Sequence, residues 1–246
     1  MCAEFIPSTE IHDLEALLFG LGHIQNIFAS QKFERVFPRQ KAPILVAQKD
    51  GRKIELLESE FSLIPRWWKD DKSARPPFAT HNARLESILE KPAFRDAFKK
   101  NPCVIPMACF FESSLFGNNF PGNRIRIEAK KTLYAAGCFS DWVNTSTGEI
   151  TSSFTILTKT PGEQIFFAGH DRSPLFLPPQ GAKEWLQSQA LSGPEKVRFL
   201  SENEDKKLRF DISVDRPLKP GWQQRAPSGD EISELKEIIF ADKAKN

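Results

Sequence analysis

Four polar residues stand where their chemistry is of use: Cys2, Asn82, Glu112 and His170. Cys2 directly follows the initiator methionine and has two readings, an ordinary small side chain or a chain terminus that reacts. Glu112 ends the apolar run "VIPMACFFE". A carboxylate desolvated there would rise toward useful acid/base values; a strand that has reached solvent at Glu112 fits the pattern equally. His170, one of four histidines, sits between a glycine and a strand start in "FAGHDRSPLFL", next to Asp171 and Arg172. A lone histidine is more often structural than catalytic. "THNARLES" puts Asn82, Arg84 and Glu86 at the mouth of a helix. There Thr80 or Asn82 serves as N-cap, and Glu86 favours the helix dipole.

A fifth feature is of a different kind. In "LIPRWWKDDKSAR", Trp67 and Trp68 lie among Arg66, Lys69, Lys72 and Arg75. Neighbours on a strand point to opposite faces, so after "IP" this run reads as a loop with at least one indole exposed. Aromatics interleaved with cations hold single-stranded nucleic acid, rings stacking on bases and cations meeting phosphates. A core tryptophan beside solvated charges explains the same letters.

The elements that must position these groups follow from periodicity. Residues 9–22 read as an amphipathic helix ending at glycine. "APILVAQ" and "KIELLESEFSLIP" read as strands. "ARLESILEKPAFRDAFKK" reads as helical, interrupted near Lys91 because Pro92 suits a new helix start. Strand-like runs follow at "CVIPMACFFE", "RIRIEA", "LYAAGCFSDW", "SSFTILTK", "SPLFLPP" and "LRFDISV", with short helices at "GAKEWLQSQ" and "GPEKVRFLSE". The pattern lacks regular βαβ alternation, so the expected class is α+β with a largely antiparallel sheet system. The last stretch, "GDEISELKEIIFADKAKN", reads as a polar amphipathic helix appended at residues 226–246 to a domain of residues 1–225.

Composition narrows the function classes. The chain has 246 residues, 40% of them hydrophobic, and a formal net charge of +2. Any nucleic-acid contact must therefore come from a local patch rather than a global field. Cys2, Cys103, Cys109 and Cys138 form no CxxC pair or zinc-ligand spacing, so no metal or cofactor is expected. The first thirty residues hold no Lys or Arg, and no apolar run approaches a membrane span. These features point to a cytoplasmic chain with free thiols.

In order and spacing, Met-Cys at the start, "LIPRWW", "NARLES", "CVIPMACFFE", "YAAGCFSDW", "FTILTK" and "GHDRSPLFL" resemble the SRAP family (SOS response-associated peptidases, the abasic-site shield proteins). The resemblance runs from residue 2 to about residue 178. It implies one SRAP-type domain with a barrel-like sheet core and flanking helices. It also implies loss of Met1, which leaves Cys2 as a 1,2-aminothiol. An abasic site in single-stranded DNA presents an aldehyde, which such a terminus converts to a thiazolidine. Free α-amines and thiols, with pKa values of ~7.7–8.0 and ~8.5, are partly unprotonated near neutrality. By resemblance, Asn82 orients the terminus, Glu112 shuttles protons and His170 acts as acid/base in crosslinking and its reversal. Arg84 and Arg172 would hold flanking phosphates, and Trp67 and Trp68 would wedge against bases. The resemblance further implies an autopeptidase activity on the chain's own leader, no cofactor, and a monomer that is nucleoid-associated when bound to DNA.

This sequence departs from the family at Ala3-Glu4, where Gly-Arg is usual, at Phe111 for a common tyrosine, and at Ser113 for an aromatic. The stretch before "APILVAQ" also lacks an Asn-x-x-Pro pattern. Two other classes share parts of the pattern. A glutamine amidotransferase with an N-terminal nucleophile also begins Met-Cys, but no Gly-Asn-Gly-type oxyanion segment is present. A non-catalytic single-strand binder would use the aromatic-basic stretch alone.

Overall fold

A computed structural model describes residues 2–8, 10, 34–48, 54–69 and 75–241. The helix expected over residues 9–22 lies outside these, as do Met1, Lys72, His12 and His23. Five strands close into a barrel. They are β2 (Lys41–Ala47), β3 (Ile54–Phe61), β5 (Pro102–Ser113), β6 (Asn123–Val143) and β7 (Ile150–Lys159), paired in the ring β5–β2–β3–β7–β6–β5. All joints are antiparallel except β3 on β7, and β4 (Asn82–Arg84) continues that parallel edge along β7. The short β1 (Phe5–Pro7) pairs with the C-terminal half of β5, and the two-residue β8 (Ser173–Pro174) and β9 (Phe176–Leu177) pair with β7 and β6.

Alternation decides what faces inward. On β2, Ile44 and Val46 enter the barrel cluster with Phe61, Ile105, Phe154 and Cys2, while Leu45 faces the opposite cluster with Phe98, Tyr134 and Trp185. That outer cluster is covered by α1 (Pro92–Lys100), α3 (Pro179–Leu186) and α4 (Gly193–Glu202). α1 starts at Pro92, the position its fixed φ favours. The buried Lys196 donates to the carbonyls of Phe98 and Lys99 that end α1, and burial pulls its ammonium down to about 8. A short α2 (Glu163–Phe167) precedes His170, and α5 (Gly229–Ala241) follows the sheet with no buried residue. No helix among the described residues is long and apolar enough to cross a membrane.

Two expectations change. The stretch before Pro92 is not helical. Asn82–Arg84 is a strand whose register with Ile156–Thr158 uses its backbone groups, and only a 3₁₀ turn, Leu85–Ser87, follows. "RIRIEA" and "LYAAGCFSDW" are halves of one 21-residue strand, β6. Its first half pairs with β10 (Asp211–Pro217) and the end of β5, its second half with the start of β5 and with β7. A register shift between Met107 and Cys109 lets both long strands bend where they change partners.

Gly137 lies where β6 approaches its neighbours most closely. A Cβ there would meet the Ile105 methyl, lie 2.7 Å from the Thr155 carbonyl and 3.0 Å from Cys103 Sγ. Gly137→Ala should therefore cost about 1–3 kcal/mol of unfolding free energy through overpacking. Denaturant melts check this; a variant as stable as the parent would show that the barrel gives way at this point.

Candidate active site

The four polar residues converge at one end of the barrel. Cys2 is fully buried, just before β1. Its carbonyl accepts a hydrogen bond from Asn82 Nδ2 at 2.7 Å, so β4 holds the start of the chain. Asn82 does not cap a helix: it sits on a strand and turns its amide to Cys2. Asn82 Oδ1, also buried, has no hydrogen-bond partner among the described residues.

Glu112, near the end of β5, is buried, and its Oε2 lies 3.0 Å from His170 Nε2. His170 Nδ1–H donates to the Ser113 carbonyl at 2.9 Å, which fixes the tautomer and leaves Nε2 facing the carboxyl group. Burial pulls the His170 pKa below its ordinary value, against the opposing pull of Glu112. The Cys2 thiol is pushed far above the ordinary thiol range, first by burial and then by the charge of Glu112. No thiolate rests here, so any reaction of this sulfur would first have to remove its proton.

The loop that carries His170 depends on Gly169. Its φ is +89°, and a Cβ there would strike the Phe116 carbonyl. The Leu115 amide donates to the Gly169 carbonyl at 2.8 Å, tying this loop to the chain just after β5.

The departures at Glu4, Phe111 and Ser113 have structural counterparts. Glu4 is 2% exposed, with its carboxylate 2.8 Å from Arg35, 2.8 Å from Arg124 and 3.3 Å from Arg216. Three guanidiniums thus converge on the one acidic residue that replaces an arginine. The Arg35 guanidinium lies 3.9 Å over the Phe111 ring, a contact that needs no phenol hydroxyl. Ser113 offers its carbonyl to His170 and its hydroxyl to Arg124.

Trp67 is 46% exposed on a turn, and its indole N–H donates to the Pro92 carbonyl at 3.1 Å. Trp68 is half-buried, and its carbonyl accepts from the Trp142 indole at 2.7 Å. The exposed Phe78, which sequence reasoning missed, packs edge-on against Trp68 at 6.0 Å. Arg84 is exposed, with no ion pair among the described residues. Arg172 is different. It is buried and donates to both Glu86 oxygens at 3.0 and 2.8 Å, a bidentate brace between the turn after β4 and the His170 loop. Glu86 also accepts from the Thr160 amide at 3.2 Å.

The family described as SOS response associated peptidase (SRAP) matches residues 1–215. The abasic site processing protein YobE of Bacillus subtilis is 33% identical over 187 residues, covering 76% of this chain and 82% of YobE. YoqW of the same organism is 34% identical over 144 residues, 58% of this chain and 62% of YoqW. HMCES of Gallus gallus is 22% identical over 188 residues, 66% of this chain and 56% of HMCES. The chain therefore spans about three fifths of the length of some of these relatives. Crystal structures of a protein from Bacteroides thetaiotaomicron (TM-score 0.65, 24% identity, 92% of this chain and all of that one) and one from Bordetella bronchiseptica (0.67, 19%, 87% and all) share the fold. Barrel, ordered motifs and family match agree, and the chain belongs to the SOS response associated peptidase (SRAP) family.

Proposed function

We propose that the chain captures abasic sites in single-stranded DNA covalently through Cys2. The observation that carries the reading is the Asn82 amide on the Cys2 carbonyl, beside the buried Glu112–His170 pair. Its relatives' name, abasic site processing protein, supports the same substrate.

Loss of Met1 frees the α-amine of Cys2. The amine adds to the aldehyde of the ring-opened sugar, and the resulting carbinolamine loses water to give an imine. The thiol then adds across the C=N bond, sulfur to carbon and proton to nitrogen, closing a five-membered thiazolidine. One water leaves and no electrons change hands. Amine attack comes first because burial keeps the thiol protonated. Asn82 Oδ1, a buried acceptor without a partner among the described residues, suits the freed amine. Glu112 moves protons in ring opening and imine formation, and His170 Nε2 exchanges a proton with the sugar hydroxyl and on reversal. The same set hydrolyses the Met1–Cys2 bond as an autopeptidase.

Trp67, Trp68 and Phe78 offer stacking surface to unpaired bases, and Arg84 meets a phosphate. Arg172 serves the strand by holding the His170 loop through Glu86, since its terminal nitrogens are already engaged. The working form is a cytoplasmic monomer, with α5 as an appendage to the catalytic domain.

Incubation with abasic single-stranded DNA should yield a band that survives denaturing electrophoresis. Its intact mass should equal the Met1-free protein plus the oligonucleotide less one water. Cys2→Ala should abolish it; equal, reversible binding by both proteins would leave only a strand-binding module. Glu112→Gln should slow crosslinking by about 10²-fold, and His170→Ala should chiefly slow release by a similar factor. Wild-type rates in both variants would remove these roles.

Burial of His170 also sets a pH dependence. Unfolded histidine protonates near 6.5, whereas folded His170 does so only at lower pH. Between those values the unfolded state binds more protons, so stability falls as pH drops below about 6.5. His81, also lowered by burial, adds the same sign. Thermal melts should show the slope, and His170→Asn should flatten it; an unchanged slope would mean that His170 is charged in the folded protein.

A further inference from the structure

Beside the site lies a cavity of about 340 Å³ whose lining includes Arg124, Arg216, Lys219, Arg225, Trp222 and Glu4. We propose that this cavity binds a backbone phosphodiester of the DNA strand next to the captured lesion. The inference rests on the reading that the strand enters at Cys2.

Charge is the first argument. Arg35, which bonds both Glu4 and Asp215, belongs to the same network. Arg35, Arg124 and Arg216 share two carboxylates, Glu4 and Asp215, and with Lys219 and Arg225 nearby the cluster holds five cations to two anions, an excess of three positive charges. Register is the second. Arg124 on β6 and Arg216 on β10 are direct cross-strand partners. Like charges placed opposite one another are unfavourable unless an anion lies between them. Glu4 meets part of that need, and the cavity lined by both arginines and by Glu4 leaves room for a further anion. Position is the third. Arg124 donates to the Ser113 hydroxyl at 3.2 Å, and the Ser113 carbonyl holds His170. The positive charge of Arg124 also reaches the Cys2 thiol, a small pull against the burial that raises its pKa. A phosphate seated here is therefore adjacent to the reacting sugar.

The far wall is specific to this part of the chain. Lys219, Trp222 and Arg225 lie past residue 215, where the family match ends. They are carried by the turn after β10 and the 3₁₀ segment Trp222–Arg225. Gly122, at φ +79°, lets the Trp222 ring approach the start of β6: a Cβ there would lie 3.0 Å from two indole atoms. The packed indole holds the turn, and Lys219 and Arg225, against the mouth of the cavity. The ligand assigned is a polyanionic strand rather than a free ion, because the cavity opens to solvent beside the site and its charge excess exceeds one phosphate.

The test uses an unmodified single-stranded oligonucleotide, which binds without reacting, in anisotropy titrations from low to moderate salt. The full chain is compared with the double variant Lys219→Glu/Arg225→Glu. These side chains are exposed and contribute nothing to the Glu4 clamp, and matching thermal melts verify folding. The variant should bind about tenfold more weakly at ~0.1 M salt, with a log–log salt slope smaller by about 1.4, two single-strand contacts at ~0.7 each. Lys219→Arg should keep the parent slope. Inorganic phosphate, added at constant ionic strength, should not compete. Unchanged affinity and slope in the double variant, or competition by inorganic phosphate at low millimolar levels, would overturn the assignment. The outcomes separate the two readings. Weaker binding without any crosslink in the parent would keep the phosphate site and discard Cys2 capture. Crosslinking with an unchanged salt slope would discard the phosphate site alone.

Discussion

A buried carboxylate two residues beyond Cys2 is the constraint on which the site depends. Glu4 lies among Arg35, Arg124 and Arg216, with its backbone carbonyl accepting from the Phe111 amide at 2.9 Å. Chain starts ordinarily fray. Here the first residues are fixed by ion pairs, by pairing with β5, and by Asn82 on the Cys2 carbonyl. Removing one partner from a buried ion pair typically costs ~3–5 kcal/mol, because the charge left behind has no compensation. The clamp therefore determines where the thiol sits, not merely whether the protein folds.

That clamp lets a dry site coexist with a highly charged rim. Inside, Cys2, Glu112 and His170 are buried, and desolvation raises the pKa of the Cys2 thiol and lowers that of His170. Outside, the guanidiniums are satisfied by Glu4 and Asp215 but not exhausted. The Arg172–Glu86 brace plays the matching role on the opposite side, joining the turn after β4 to the His170 loop. Asn82 and His170 are 88 residues apart in sequence, and that brace keeps their two carriers together.

Much of this was legible as letters and little of it as geometry. Cys2, Asn82, Glu112 and His170 stood out because polar side chains interrupt apolar or glycine-bounded runs. Asn82 was misplaced on a helix because "THNARLES" carries every N-cap signal; pairing with Ile156 on the parallel edge of β7 overrides that local preference. β6 read as two strands because "KKT" between its halves looks like a turn, yet the backbone stays extended while it changes partners. The Glu4 clamp left no local signal at all. Its arginines come from positions 35, 124 and 216, and only the folded sheet brings them to one carboxylate. Glu86, read as a dipole-favouring residue, is instead the acceptor that keeps Arg172 from solvent.

The parallel edge of β7 has one more implication. β3 and β4 dock side by side along it, at Ser153–Phe154 and Ile156–Thr158. The chain between them, with Trp67, Trp68 and Phe78, leaves the barrel and returns to the same edge. Insertions or deletions in that excursion leave every barrel joint intact. The exposed aromatic segment can thus change in length and composition while Asn82, Glu112 and His170 keep their places behind it.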